Sequence, residues 1–259
     1  MPRQLSDWLD SYLDYTSDQE SPEKLHLWTG LAVLSAVLRR RVWMDRAFYH
    51  LFPNIYVLIV AESARIRKST AMKIGLTLME NSVKDVYTLG DAMTPEGLVK
   101  ALNRPPTVKA NEEEPDKPFI TPVRSDIMIH ADELANLFGY DRLRASKMAI
   151  LLTRIYESPE KYEHTTKTDT KILLRNLYPT LLAGTDPRNL KVLPEEAVGG
   201  LIGRLIFVTA REKRRAIAWP ERSDRSKALY ENGCNRWSHH MLGQYGIRIQ
   251  PSMGKSRTD

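Results

Sequence analysis

Four small groups of polar residues, each beside an apolar run, have types and spacing that could do chemistry in this 259-residue chain. The first is Lys68, Ser69 and Thr70, which follow the apolar run 55–60 in NIYVLIVAESARIRKSTAMKIG. A lysine and a hydroxyl placed between a buried strand and a helix are the groups that hold nucleotide phosphates and Mg2+. The second is Asp132 and Glu133, at the end of the run in IMIHADEL. One carboxylate can orient Mg2+ while the other polarises an attacking water. The third is Thr185 in PTLLAGTDP, a hydroxyl at a strand tip suited to sensing a γ-phosphate. The fourth is Arg204 in AVGGLIGRLIFV, an arginine that could reach a phosphate on a neighbouring subunit.

Each group also has an ordinary structural explanation. Lys-Ser-Thr can simply open a helix, and Asp-Glu is favoured at a helix N-terminus by the helix dipole. Gly184, Asp186 and Pro187 are turn formers, and Arg204 can cap a strand. A strict phosphate loop, G-x-x-x-x-G-K-[ST], would place glycines at 62 and 67, where the chain has Glu62 and Arg67. No glycine at all lies between Val60 and Lys68.

The elements that must position these groups are legible in the hydrophobic pattern. Apolar residues at helical spacing predict a helix over 5–16. A second helix runs to about residue 39, with Ser21 as N-cap and Pro22 in its first turn. Residues 41–45 read as a short strand. From residue 55 strands and helices alternate: strands at 55–60, 86–89, 126–131, 178–183 and 204–209, and helices at 69–82, 94–102 and 142–157. Residues 162–174 read as a hairpin, and the Pro-, Glu- and Lys-rich segment 104–122 reads as a surface loop. The expectation is an α/β chain of three layers with a mostly parallel central sheet. A small helical segment (1–45) precedes the core (46–221), and a basic tail (222–259) comes after it. The strands at 55–60, 126–131, 178–183 and 204–209 should share one sheet, with Lys68 and Asp132 at its carboxyl edge.

Composition bounds the rest. A formal net charge of +6 permits nucleic acid as a partner. The stretch REKRRAIAWPERSDRSK, 211–227, is the candidate phosphate-contacting patch. The single cysteine, Cys234, excludes an intramolecular disulfide and argues against a structural zinc site. The N-terminus lacks the apolar run of a signal peptide, and no run approaches membrane-spanning length. The expected setting is the cytoplasm.

The order of the four groups is that of ATPases of the helicase and AAA+ type. The chain resembles a P-loop NTPase domain family of phage and mobile-element primase-helicases and related replication proteins, long catalogued as a domain of unknown function. The resemblance covers roughly 25–221 and rests on LFPNIYVLIVAESARIRKSTAMKIG, MTPEGLVKAL, IHADELANLF, IYESPEKYEHTT, LYPTLLAGTDPRNL and AVGGLIGRLIFV with the later AWPE. Family loops have the form G-x-S-G-x-x-[RG]-K-[ST]. Ser63, Arg67, Lys68 and Ser69 fit it, while Ala61 and Ala64 stand where glycines are expected. Alanine costs on the order of 1 kcal/mol or more where φ must be positive.

The resemblance implies an ATP·Mg2+ site formed by Ala61, Ser63, Ala64, Arg67, Lys68, Ser69 and Thr70, with Ser69 and Asp132 on the metal. Glu133 would be the general base, Thr185 the γ-phosphate sensor and Arg204 a group acting in trans. It implies a helicase-like hydrolase acting on single-stranded or forked DNA as a homo-oligomer, alongside a primase or other replication partner. Two alternatives stand beside it. One is a degenerate scaffold that binds DNA or a partner without hydrolysis. The other is a nucleotide kinase, disfavoured because no Arg-rich lid flanked by glycines is present. GKS at 254–256 lacks a preceding strand and is not a second loop of this kind.

Overall fold

In the computed structural model the described residues are 7–83, 85–104, 108–109, 119–120, 125–165, 171–217, 221–232 and 247–249. Helix α1 (Trp8–Tyr15) starts where the Asp7 carboxylate accepts from the N–H groups of Leu9 and Asp10. Helix α2 (Glu23–Leu38) has Pro22 at its N-cap, not Ser21. The expected cap is corrected: the Ser21 hydroxyl donates instead to the Arg67 carbonyl at 3.1 Å. A short hairpin comes next, β1 (Val42–Asp45) with β2 (His50–Leu51), and then β3 (Tyr56–Val60) and α3 (Lys68–Ser82).

After the brief strand β4 (Thr88–Leu89), α4 (Pro95–Leu102) carries the expected Thr94 cap. The segment read as a plain loop contains an antiparallel pairing of β5 (Val108–Lys109) with β6 (Phe119–Ile120); its remainder from 105 onward lies outside the described residues. The chain continues through β7 (Ser125–Ala131), α5 (Leu134–Phe138) and α6 (Arg142–Tyr156). The hairpin of β8 (Lys161–His164) and β9 (Ile172–Arg175) leads into β10 (Leu177–Thr185). A 3-10 turn (Pro187–Val192), α7 (Glu195–Val198), a second 3-10 turn (Ile202–Arg204) and β11 (Leu205–Thr209) complete the core.

The central sheet has five parallel strands in the order β11-β3-β10-β7-β4. The four strands expected to share a sheet therefore do so side by side. Their length of apolar sequence suits strands covered on both faces, and every residue of β10 is buried. One face packs Tyr56, Leu58 and Val60 against α4, α5 and α6. The other packs Val57 and Ile59 against α1, α2 and α3. The helices of the N-terminal segment are thus one of the three layers. Their approach is close: a Cβ on Gly75 of α3 would stand 2.5 Å from Thr29 Cγ2 of α2. None of the described helices is long and apolar enough to cross a membrane.

Part of the segment beyond 211 meets the rest of the chain. Helix α8 (Asp224–Asn232) lies against α1, where Ser226 Oγ donates to the Tyr15 carbonyl at 3.0 Å. Strand β12 (Ile247–Ile249) pairs in parallel with β1. Residues 233–246 and 250–259, including GKS 254–256, lie outside the described residues.

One buried group makes the helical layer sensitive to acid. His26 on α2 is fully enclosed, and neither ring nitrogen has a hydrogen-bond partner among the described residues. Burial, with a smaller push from Arg214, holds its pKa at about 4 against a usual 6.5. The folded pKa is depressed, so the contribution to stability is complete above 6.5 and is lost as pH falls towards 4. Urea denaturation should show stability declining across that window by up to about 3 kcal/mol. The decline should vanish in His26→Leu.

Candidate functional site

The parallel register sets the carboxyl ends of three strands in line. Val60 of β3 sits opposite Thr185 of β10, and Ala183 of β10 sits opposite Ala131 of β7. The residues just past these strands therefore meet at one edge: the loop 61–67 and Lys68 after β3, Asp132 and Glu133 after β7, and Asp186 after β10. Strand β10 lies between the other two, so its tip is the floor of the site.

That floor is bare at Gly184. A Cβ there would stand 2.9 Å from the Asp132 carbonyl oxygen, 3.0 Å from Met72 Cε and 3.2 Å from Lys68 Cε. The Lys68 side chain thus lies across Gly184 beside the backbone of Asp132. It is buried, and its Nζ donates to the Ala61 carbonyl at 3.4 Å, a long bond. Next to Gly184, the enclosed Thr185 hydroxyl donates to Glu133 Oε1 at 2.7 Å. The Asp132 carboxylate is mostly exposed, with His130 Nε2 3.4 Å from its Oδ1. Ser69 and Thr70 are exposed in the first turn of α3.

The loop takes its shape from its neighbours. Ala61 N–H donates to the Thr185 carbonyl at 3.0 Å, and Ser63 N–H donates to Asp186 Oδ2 at 3.1 Å. Asp186 is gripped by Arg188 through two parallel bonds of 2.8 and 3.0 Å and also accepts from the Arg188 N–H. The Arg188 guanidinium, with the N–H groups of Arg188 and Ser63, holds this carboxyl far below the usual range. At the loop's far end, Glu20 accepts from Arg67 Nε at 2.8 Å, from Lys213 Nζ at 2.9 Å and from the Ile217 N–H at 3.3 Å. Lys213 and then Arg67 lower the Glu20 pKa to about 2.

The two alanines differ. Ala64 has φ 60° and Arg67 has φ 55°, both in the left-handed region, while Ala61 does not. An alanine therefore costs nothing special at 61 and is strained at 64.

Arg204 stands apart from this cluster. It precedes Leu205, which is opposite Tyr56 at the amino end of β3, so it belongs to the other edge of the sheet. There it donates to Glu157 Oε1 at 2.5 and 3.1 Å and to the Gly200 carbonyl at 2.9 Å. Within one chain it cannot reach the Lys68 edge.

Sequence reasoning missed Gly184, Asp186, Arg188 and Glu20. Gly184 and Asp186 were visible only as turn formers, and nothing in the sequence ties residue 20 to residue 67. Within the basic stretch 211–227, Lys213 pairs with Glu20, Arg214 with Glu23, Arg225 with Asp14 and Lys227 with Asp224, the last two in exposed pairs.

Gly184→Ala should destabilise the fold by about 1–3 kcal/mol, because its methyl meets backbone as well as side chains. Gly90→Ala, where a Cβ meets nothing within 4 Å, is the control and should be near neutral in the same denaturation experiment.

No protein-family model matches this chain, and no curated protein matches it significantly.

Proposed function

We propose that this chain is a P-loop nucleoside triphosphatase that binds ATP with Mg2+ and serves a phage or mobile-element replication module. The observation that carries the reading is the convergence at Gly184: Lys68, the Asp132 backbone and the Thr185–Glu133 pair meet at the carboxyl edge of three parallel strands. Ligands of open parallel sheets bind at that edge.

The residues suit a metal that arrives with its nucleotide. Mg2+ is held in such sites by one or two carboxylates plus substrate phosphates, not by a dedicated cage. No cluster of three or more metal-ligating His, Cys, Asp or Glu exists among the described residues. In this reading Ser69 and Asp132 would hold Mg2+, which would supply charge neutralisation at the nucleotide phosphates. Lys68 leaves its long bond to Ala61 and turns its ammonium to the phosphates. The N–H groups at the start of α3 face the same anion. Glu133, aimed by the Thr185 hydroxyl, accepts the proton of the attacking water. Arg204 serves a neighbouring copy, since its own Lys68 lies at the other edge.

Action on DNA has thinner support. Lys213, Arg214, Arg225 and Lys227 of the stretch 211–227 have acidic partners within the chain, and the reading rests on the net charge of +6 and on the resemblance. A second reading, a scaffold that binds without hydrolysis, is favoured by Ala64 at φ 60°.

ATP turnover with and without single-stranded DNA separates these readings. Lys68→Ala should abolish nucleotide binding with the fold intact by circular dichroism. Glu133→Gln should keep binding and lower turnover by about 100-fold or more, the scale of general-base loss. Silence of both substitutions would remove the catalytic reading. Ala64→Gly relieves the strained φ and should tighten ATP binding in calorimetry, whereas Ala61→Gly should leave it unchanged. Equal effects at the two positions would show that backbone strain is not what limits the loop.

A further inference from the structure

Glu20 ties together two segments that are far apart in sequence. Its Oε2 accepts from Arg67 Nε at 2.8 Å, and its Oε1 accepts from Lys213 Nζ at 2.9 Å and from the Ile217 N–H at 3.3 Å. Arg67 is the N-cap of α3 and directly precedes Lys68. Lys213 and Ile217 belong to a strap, 211–217, that is neither helix nor strand. Thr209 of β11 sits opposite Val60 of β3, so the strap leaves the sheet at the same edge as the loop 61–67. One carboxylate therefore joins the end of that loop to the strap.

The other charges around this junction are matched elsewhere. Arg214 stands 3.4 Å from Glu23, and its N–H donates to the Glu20 carbonyl at 2.9 Å. Arg215 Nη2 donates to the Ser17 carbonyl at 2.8 Å, and Arg211 is exposed. Asp18 accepts from the Ser223 N–H and the Ser226 hydroxyl. Arg65 pairs with Glu62 at 2.8 Å and also feels Glu212 of the strap. Arg67 and Lys213 share Glu20. Its side chain is only 13% exposed, whereas that of Arg67 is 52% exposed and can turn without opening the core.

We infer that Glu20 is a latch, a positioning residue that holds Arg67 back from the nucleotide and couples nucleotide binding to release of the strap 211–217. The inference rests on the nucleotide reading of the loop 61–67. A triphosphate held at Lys68 is a polyanion one residue away from Arg67. It attracts the Arg67 guanidinium and repels the Glu20 carboxylate. Glu20 is then left with Lys213 and the Ile217 N–H while facing the charge of the phosphates, and the strap loosens. Linkage makes the coupling reciprocal: if nucleotide favours the open latch by some factor, the open latch binds nucleotide more tightly by the same factor.

Limited trypsin digestion of the full chain, read by mass spectrometry, reports the strap through cleavage after Arg211, Arg214 and Arg215. Without nucleotide, Glu20→Gln should speed that cleavage about 5-fold or more, the lower end of ordinary coupling, with circular dichroism unchanged. Mg2+ with the non-hydrolysable analogue adenylyl imidodiphosphate should speed it in wild type. Calorimetry should show Glu20→Gln binding the analogue about 5-fold or more tightly than wild type. Lys213→Met frees the strap but leaves Glu20 on Arg67, so its cleavage should rise with no gain in affinity. A mere brace would make the two variants alike. If Glu20→Gln does not fold, Glu20→Asp keeps the charge at shorter reach and should move both readouts in the same direction. A Glu20→Gln that binds the analogue no more tightly, or less tightly, overturns the inference, the second result showing that Glu20 aims Arg67 at the phosphates. Wild-type cleavage that ignores the analogue overturns it as well. Absence of binding by either protein removes the nucleotide reading and this coupling together, whereas unchanged nucleotide-free digestion of Glu20→Gln removes the latch alone.

Discussion

The missing side chain of Gly184 is the constraint on which the rest of the site depends. Strand β10 is inserted between the strand that delivers Lys68 and the strand that delivers Asp132 and Glu133, so its tip must be thin enough for both to close over it. With no Cβ at 184, a lysine stem can lie flat across the sheet edge and remain buried. The next residue then presents a hydroxyl to Glu133 from the same floor. Two adjacent positions on one strand thus set the placement of three polar groups from two others.

The loop 61–67 shows how a glycine-poor turn can hold its shape. Glycine would make the turn easy in the isolated segment; here fixed partners on three sides impose it. The β10 backbone and the Asp186–Arg188 pair hold the loop's start, and Ser21 and Glu20 hold its end. The strain left at Ala64, roughly 1–2 kcal/mol, is small against the stabilisation that such a set of bonds and packed helices supplies. Arg67 adopts a left-handed backbone too, but its side chain gains Glu20 in return.

Much of the layout was legible because the apolar runs are strong. Residues 55–60, 126–131, 178–183 and 204–209 could be little other than buried strands, and their alternation with helices dictated a parallel sheet. That placed Lys68, Asp132, Glu133 and Thr185 at strand ends, where the structure also has them. What escaped the sequence depends on contacts between distant segments. Ser21 has the residue type and spacing of an N-cap, yet its hydroxyl finds Arg67 across the fold. The basic run 211–227 suggested a phosphate-contacting patch; Lys213, Arg214 and Arg225 in it also meet Glu20, Glu23 and Asp14, acidic groups that no local pattern links to it. Arg204 was legible as a residue before a strand, but which edge of the sheet it occupies depends on the strand's direction.

The sheet order also governs when the protein can form during synthesis. Strand β3 is completed by residue 60, but its two neighbours are β10 and β11, so Val57 waits for Leu182 on one side and Ile206 on the other. Until those residues emerge from the ribosome, an apolar strand with both edges unpaired is carried by the nascent chain. Pairings of such high sequence separation form slowly and leave aggregation-prone edges exposed meanwhile. Helices α1, α2 and α3, which close against one another early in the chain, can shield one face of β3 during that interval. The N-terminal helical layer thus has a role in time as well as in space, as a cover for a strand whose partners are the last strands of the central sheet to be made.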